Sequence, residues 1–198
     1  MNTSTLESRA RRLRGLTHEA HGALDHLITG FDPFAGRESY ACFLRMQYCF
    51  LRDVDALFTH PELNRLFPGL AERRRLTLVE LDLLDLGVSP PELTARPMFS
   101  GEAVDIATAL GWLYVEEGSN LGAAILFKRA AALGLDGTFG ARHLAPRPAG
   151  RAPSWHAFVA QLDAAELDAS GETRAAAGAT AAFRQVYGYV ESYCTSQR

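Results

Sequence analysis

The sequence predicts an all-α fold, and three observations carry that prediction. Apolar residues recur at threes, fours and sevens over most of the chain, no stretch alternates with the period of a strand, and proline and glycine clusters cut the periodic stretches into helix-length pieces. With 198 residues, 47% of them hydrophobic, the chain has enough apolar surface for one substantial core, so residues 1–198 are expected to form a single domain.

The first helix is announced by Ser4 and Glu7, which have the spacing of a capping box, followed by Leu6, Leu13, Leu16, Ala20, Leu24 and Leu27 up to Gly30. Beyond the turn Gly30-Phe31-Asp32-Pro33, a second helix is expected from Glu38 to Thr59, with Tyr40, Phe43, Leu44, Phe50, Leu51 and Val54 on its apolar stripe. A short helix from Pro61 to Phe67 stops at Pro68-Gly69, and a further one from Ala71 to Leu86 is closed by Gly87. Pro90, Pro91 and Pro97 exclude a helix from Val88 to Gly101. The pattern turns helical again from Glu102 to Leu133, although Gly111, Gly118 and Gly122 interrupt it. Each interior glycine costs roughly 0.5–1 kcal/mol relative to alanine, so three of them in one helix call for a reason. A loop-rich stretch, Gly134 to Arg151, leads to two last helices, Trp155 to Leu167 and Glu172 to Tyr193.

Composition excludes several classes of function. A charged fraction of 22% with 10% aromatic residues is neither disordered nor fibrous, and a net charge of only -3 lacks the basic excess of a nucleic-acid binder. Cys42, Cys49 and Cys194 form no CxxC pair and no secreted disulfide framework. The N-terminal residues hold no apolar stretch of the signal-peptide kind, and no run approaches a membrane span. A cytoplasmic protein without membrane partner is expected.

Two constellations carry chemistry. On a helical wheel His21 falls at the edge of the apolar face near Thr17, with Arg14 on the same stripe, and Asp25 lies one turn on. From there a carboxylate can hold one imidazole nitrogen while the other faces a metal; the same pattern also fits a core-edge histidine beside a solvated carboxylate. The second constellation runs from Tyr114 to Ala124. Gly118 and Gly122, four apart, clear one helix face, either for a flat ligand or for a closely packed neighbouring helix.

Together these segments resemble the heme oxygenase family, in particular its compact bacterial members. The resemblance is carried by the run Leu16 to Asp25 around His21, by Leu66-Phe67-Pro68-Gly69-Leu70, by Ala109 to Ala124 with its two glycines, and by Phe139-Gly140-Ala141-Arg142-His143-Leu144. It implies a helical fold with heme between the first helix and a kinked distal helix. Heme is then both cofactor and substrate, cleaved with O2 and reducing equivalents to biliverdin, carbon monoxide and ferrous iron.

By position, the resemblance makes His21 the proximal iron ligand, supported by Asp25, and Gly118 and Gly122 the distal glycines. Ser119 and Asn120 would extend the distal polar lining, with Arg75 an outer member of a water network. Arg14, Thr17, Tyr114 and Arg184 would lie at the heme edge, where the propionates need cationic or hydroxyl partners. Neutral imidazole suits an iron whose oxidant must attack the porphyrin edge, whereas a thiolate favours O–O cleavage. A subgroup of the family cleaves away from the α position and holds a rotated heme with an asparagine, a lysine and a phenylalanine; those places here hold His18, Thr29 and Tyr114. Cleavage at the α-meso carbon is therefore expected. The implied partners are an electron donor, a ferredoxin or a flavoprotein reductase, and a biliverdin acceptor such as a phytochrome. The alternative is a noncatalytic heme carrier or sensor on the same fold, although such a protein would more readily place a second axial ligand where the glycines stand.

Overall fold

The computed structural model describes residues 8–100 and 103–195. Among the described residues eight α-helices follow one another: α1 (Arg9–Leu16), α2 (His18–Phe31), α3 (Arg37–Val54), α4 (Pro61–Leu66), α5 (Leu76–Asp85), α6 (Ile106–Ala131), α7 (Arg151–Ala164) and α8 (Ala169–Val190). No strand occurs among the described residues, and none of the described helices is long and apolar enough to cross a membrane.

The expected first helix is two. Leu13 accepts from both the backbone N–H (2.9 Å) and the hydroxyl (2.7 Å) of Thr17, whose φ of -105° and ψ of 7° end α1 and start α2. Periodicity passes through such a break because it barely changes the phase of the apolar stripe. The capping pair Ser4 and Glu7 lies outside the described residues, and Ser8 caps α1 by accepting from the Arg11 N–H. Similarly, the stretch from Ala71 divides into a 3-10 turn, Ala71–Arg73, and α5, while the second predicted helix ends at Val54 and continues as a 3-10 turn to Thr59.

The later helices start where their caps stand. Asp105 accepts from the Thr108 N–H at 3.0 Å and opens α6 at Ile106, four residues after the expected start. Asp168 does the same for α8 through the Gly171 N–H at 2.6 Å. α7 begins at Arg151, ahead of Trp155, because Gly150 takes a φ of 86° and turns the chain into it.

One core runs through all of this. Its densest seam is α6 against α8, where Gly111 and Gly178 let the backbones touch: a Cβ on Gly111 would meet the Ala175 carbonyl and come within 2.5 Å of the Ala179 nitrogen. Trp112, wholly buried, stacks on Phe50 at 6.0 Å and takes the edge of Phe99 at 5.4 Å. α8 packs on α2 as well as on α6, so these two helices stand on a common base.

Candidate functional site

α2 and α6 are joined at two places. Near the start of α2 the Tyr114 phenol is hydrogen-bonded to Thr17. At its other end Asp32, in a left-handed conformation (φ 48°), accepts from Arg129 at 2.5 Å, and the Arg129 guanidinium lies 4.9 Å from the centre of the Phe34 ring. Thr17 to Asp32 and Tyr114 to Arg129 are fifteen residues in each case, so the helices run side by side in one direction for about 22 Å at 1.5 Å per residue. His21 is one turn past the first junction on α2, and Gly118 one turn past it on α6. They stand at the same level.

Between the junctions the helix surfaces are open. Leu121 is 43% and Ile125 71% exposed, which is unusual for large apolar residues sharing one face of a long central helix. A Cβ on Gly122 would have nothing within 4 Å, and one on Gly118 would make only ordinary contact with the Trp155 ring at 3.7 Å. Neither glycine is needed for protein packing. The result is a slot floored by α8, with a glycine-bearing apolar wall on α6 and His21 on α2.

His21 is held from two sides. Its Nδ1 lies 3.1 Å from Asp25 Oδ2, and its ring meets Phe183 of α8 edge-on at 5.7 Å. Both His21 and Asp25 remain mostly exposed. The carboxylate favours the tautomer with the proton on Nδ1, which leaves the Nε2 lone pair as the one available to a metal.

Of the residues expected at the heme edge, the structure gathers three. Tyr114 is buried, and burial raises its phenol above the ordinary value against the pull of Arg14 and the Thr17 hydrogen bond. Arg14, exposed, therefore stands beside Tyr114 and Thr17 at one end of the slot. Arg184 is exposed on α8, next in sequence to Phe183.

Arg75, Ser119 and Asn120 lie elsewhere. Arg75, 7% exposed, donates from Nη2 to Glu116 Oε1 at 2.7 Å and to the Ser119 hydroxyl at 3.2 Å, and from Nη1 to the His143 carbonyl at 3.1 Å. Ser119 in turn donates to the Glu116 carbonyl at 2.6 Å. Asn120 is about 160° around α6 from Gly118 and Gly122, at 100° per residue, and lines a cavity on the other side of the helix. The structure thus separates Asn120 from the glycine face, buries Arg75 behind it, and leaves Ser119 exposed at its side, bonded to Arg75 and to the Glu116 carbonyl.

That support is dense. Glu117 accepts from Arg73 at 2.8 Å and from both Arg147 nitrogens at 3.0 Å, and the His143 ring and backbone both bond Asp82, the ring at 2.7 Å. Burial pushes the Glu116 carboxyl up despite Arg75, and pushes the imidazole of His143 down despite Asp82. Glu116 Oε2 and His143 Nε2 are buried without a hydrogen-bond partner among the described residues. Sequence reasoning missed Glu116, Glu117 and Asp82 as structural carboxylates, because their arginine and histidine partners are distant in the chain. It also missed Phe183 and Trp155, whose ring contacts no helical spacing announces.

Known proteins share this architecture. A family model described as heme oxygenase matches residues 98–191. Heme oxygenase PigA of Pseudomonas aeruginosa is 48% identical over 177 residues, covering 89% of this chain and 88% of that protein. The solved NO- and CO-bound heme oxygenase of Neisseria meningitidis superposes with a TM-score of 0.89 at 38% identity, over 97% of this chain and 96% of that one. By this likeness along nearly its whole length, in sequence and in fold, the chain belongs to the heme oxygenase family.

Proposed function

We propose that the slot between α2 and α6 binds heme, and that the chain cleaves it oxidatively to biliverdin, carbon monoxide and ferrous iron. Membership of the family supports the reaction. The single observation that carries the location is the glycine pair on an apolar face at the level of His21: Gly122 leaves open space, and a Cβ on Gly118 would make only ordinary contact with the Trp155 ring. Among the described residues no three His, Cys, Asp or Glu side chains gather as a metal site, so iron held by His21 would bring its remaining ligands with it, as heme does. When bound, heme supplies both the iron that activates O2 and the macrocycle that is cleaved.

The chain's own residues divide the remaining work. His21 would offer Nε2 to the iron, and Asp25 fixes its tautomer. Gly118 and Gly122 would admit the flat ligand to the α6 backbone, whose peptide groups would then border it. Leu121 and Ile125 supply the apolar contact that excludes water from the rest of the face. Arg75 and Glu116 brace this stretch of α6 from behind, with Ser119 at its side and Asn120 further round. Arg14, Thr17 and Tyr114 at one end, and Arg184 on the floor, receive the propionates by charge-assisted bonds.

This arrangement favours cleavage at the α-meso carbon, since Thr29 carries no charge to draw the propionates toward a rotated position. A ferredoxin or flavoprotein reductase supplies the electrons, and a phytochrome is a candidate acceptor for the product. The three cysteines are buried and form no disulfide among the described residues, which suits a reducing compartment such as the cytoplasm.

Hemin titration followed by reductant in air tests the reading. A Soret band that decays into biliverdin, running as the α isomer on chromatography, is expected. A stable Soret band under several donors would instead favour the carrier reading, and a predominant β or δ product would overturn the propionate assignment.

A further inference from the structure

The far end of the slot holds an ion pair to which the heme reading gives no task. Arg129 lies eleven residues beyond Gly118 and seven beyond Gly122, so at 100° per residue it stands within about 20° of each and belongs to the glycine face of α6. Lys128, the other cation of this helix, is turned about 100° away from it. The Arg129 side chain reaches across to the end of α2, where Nη2 donates to Asp32 Oδ1 at 2.5 Å and the guanidinium lies against the Phe34 ring.

The two ends are built alike and charged differently. Arg14 precedes His21 by seven residues and Arg129 follows Gly122 by seven, about 10 Å along the helices in each case and in opposite directions. Among the described residues no carboxylate pairs with Arg14, which is exposed beside Tyr114. Arg129 carries the same charge, but Asp32 cancels it. A propionate brought to that end would find the donor taken and a second carboxylate beside it.

Folding makes little use of this charge. Both side chains are nearly half exposed, where an ion pair adds little to stability. The left-handed turn at Asp32, and the bond its Oδ1 accepts from the Phe34 N–H at 3.4 Å, need a short side chain with an oxygen acceptor, which asparagine supplies as well.

We propose that Asp32 determines how heme is seated in the slot: by holding Arg129 it closes this end to the propionates and leaves them to Arg14 and Tyr114. The in-plane seating, and with it the meso carbon that is cleaved, would then follow. The proposal rests on the heme reading of the slot. Leu121 and Ile125 cannot make this choice, because apolar contact with a flat ring is non-directional. Asp32 is a positioning residue, acting through the arginine it neutralises.

The test reads the seating itself. Proton NMR of the ferric cyanide complex resolves the heme methyl signals of each in-plane seating without turnover, and the parent should show one. Asp32→Asn should raise the second seating at least about threefold, a modest value for a half-exposed charged pair, and add a second biliverdin isomer in proportion. Asp32→Gly, also at ease in a left-handed turn, should do the same, so the comparison survives if one variant folds poorly. Arg129→Gln should keep the single seating of the parent. The Asp32→Asn, Arg129→Gln double variant should return to it, which mere loosening of the end of α2 would not give. A parent that takes up no hemin would remove the slot reading and this proposal together. A parent already divided between seatings, one seating unchanged in both Asp32 variants, or a mixture that persists in the double variant would overturn this proposal alone, with heme binding intact.

Discussion

Gly111 and Gly122 lie about three turns apart on α6, and their surroundings are opposite. At Gly111 the helix is pressed onto α8, and a Cβ would enter the Ala175–Ala179 backbone; at Gly122 a Cβ would meet nothing within 4 Å. Up to Glu117 the helix is largely buried, whereas from Gly118 onward it turns Leu121 and Ile125 outward. The contrast teaches that glycine in a helix has two uses with different energetics. One is a close approach of protein to protein, repaid in folding. The other is a standing cost of roughly 0.5–1 kcal/mol in the ligand-free chain, which only a bound ligand can offset.

The largest effect should come from Gly111→Ala. Its Cβ faces backbone on a packed helix and cannot be accommodated by a rotamer change, so a loss of about 3 kcal/mol or more is expected, read from the urea midpoint. A midpoint within experimental error of the parent would mean that α6 and α8 are less closely seated. Next is His21→Ala, which should abolish turnover with little change in the urea midpoint of the heme-free protein, because His21 is mostly exposed. Added imidazole should restore part of the activity. Full activity without it would remove His21 from the iron.

Gly122 gives the sharpest test of the contrast. In heme-free protein Gly122→Ala should stabilise by roughly 0.5–1 kcal/mol, the reverse sign of Gly111→Ala, since the space is open and the helix gains. Gly122→Leu should fold as well, yet lose turnover by more than it loses heme affinity. Were Gly122→Leu fully active, the glycine face would not be the distal wall.

The smallest effect concerns the support behind α6. Burial holds the His143 pKa below its ordinary 6.5, so the folded state binds fewer protons there than the unfolded chain. Its contribution is complete above the unfolded value and is lost as pH falls through the folded one. Stability should therefore drop as pH falls below about 6.5, and His143→Gln should flatten that slope. An unchanged slope in the variant would assign the acid sensitivity to other groups.

Much of the fold was legible in the chain because helices are local objects. Spacings of three and four residues placed α3, α4 and α6 to within a few residues, and prolines 90, 91 and 97 marked the long connection. The break at Thr17 was not legible, since a single hydroxyl bonded to Leu13 leaves the apolar stripe intact. The starts of α6 and α8 were misplaced because Asp105 and Asp168 are two among many acidic residues, and only the conformation of the chain selects them as caps.

By itself the sequence determined the His21–Asp25 pair and the glycine spacing, both consequences of helical geometry within one turn. It also contained the family likeness. Whether a glycine meets backbone or open space was decided only by tertiary structure, through the seat of α6 on α8. The same holds for Arg75, which is joined to Glu116 across 41 residues, and for Arg129, joined to Asp32 across 97. The physical reason is reach: contacts within a turn follow from a rise of about 1.5 Å per residue, whereas charge partners and helix spacing depend on which surfaces the folded chain brings together.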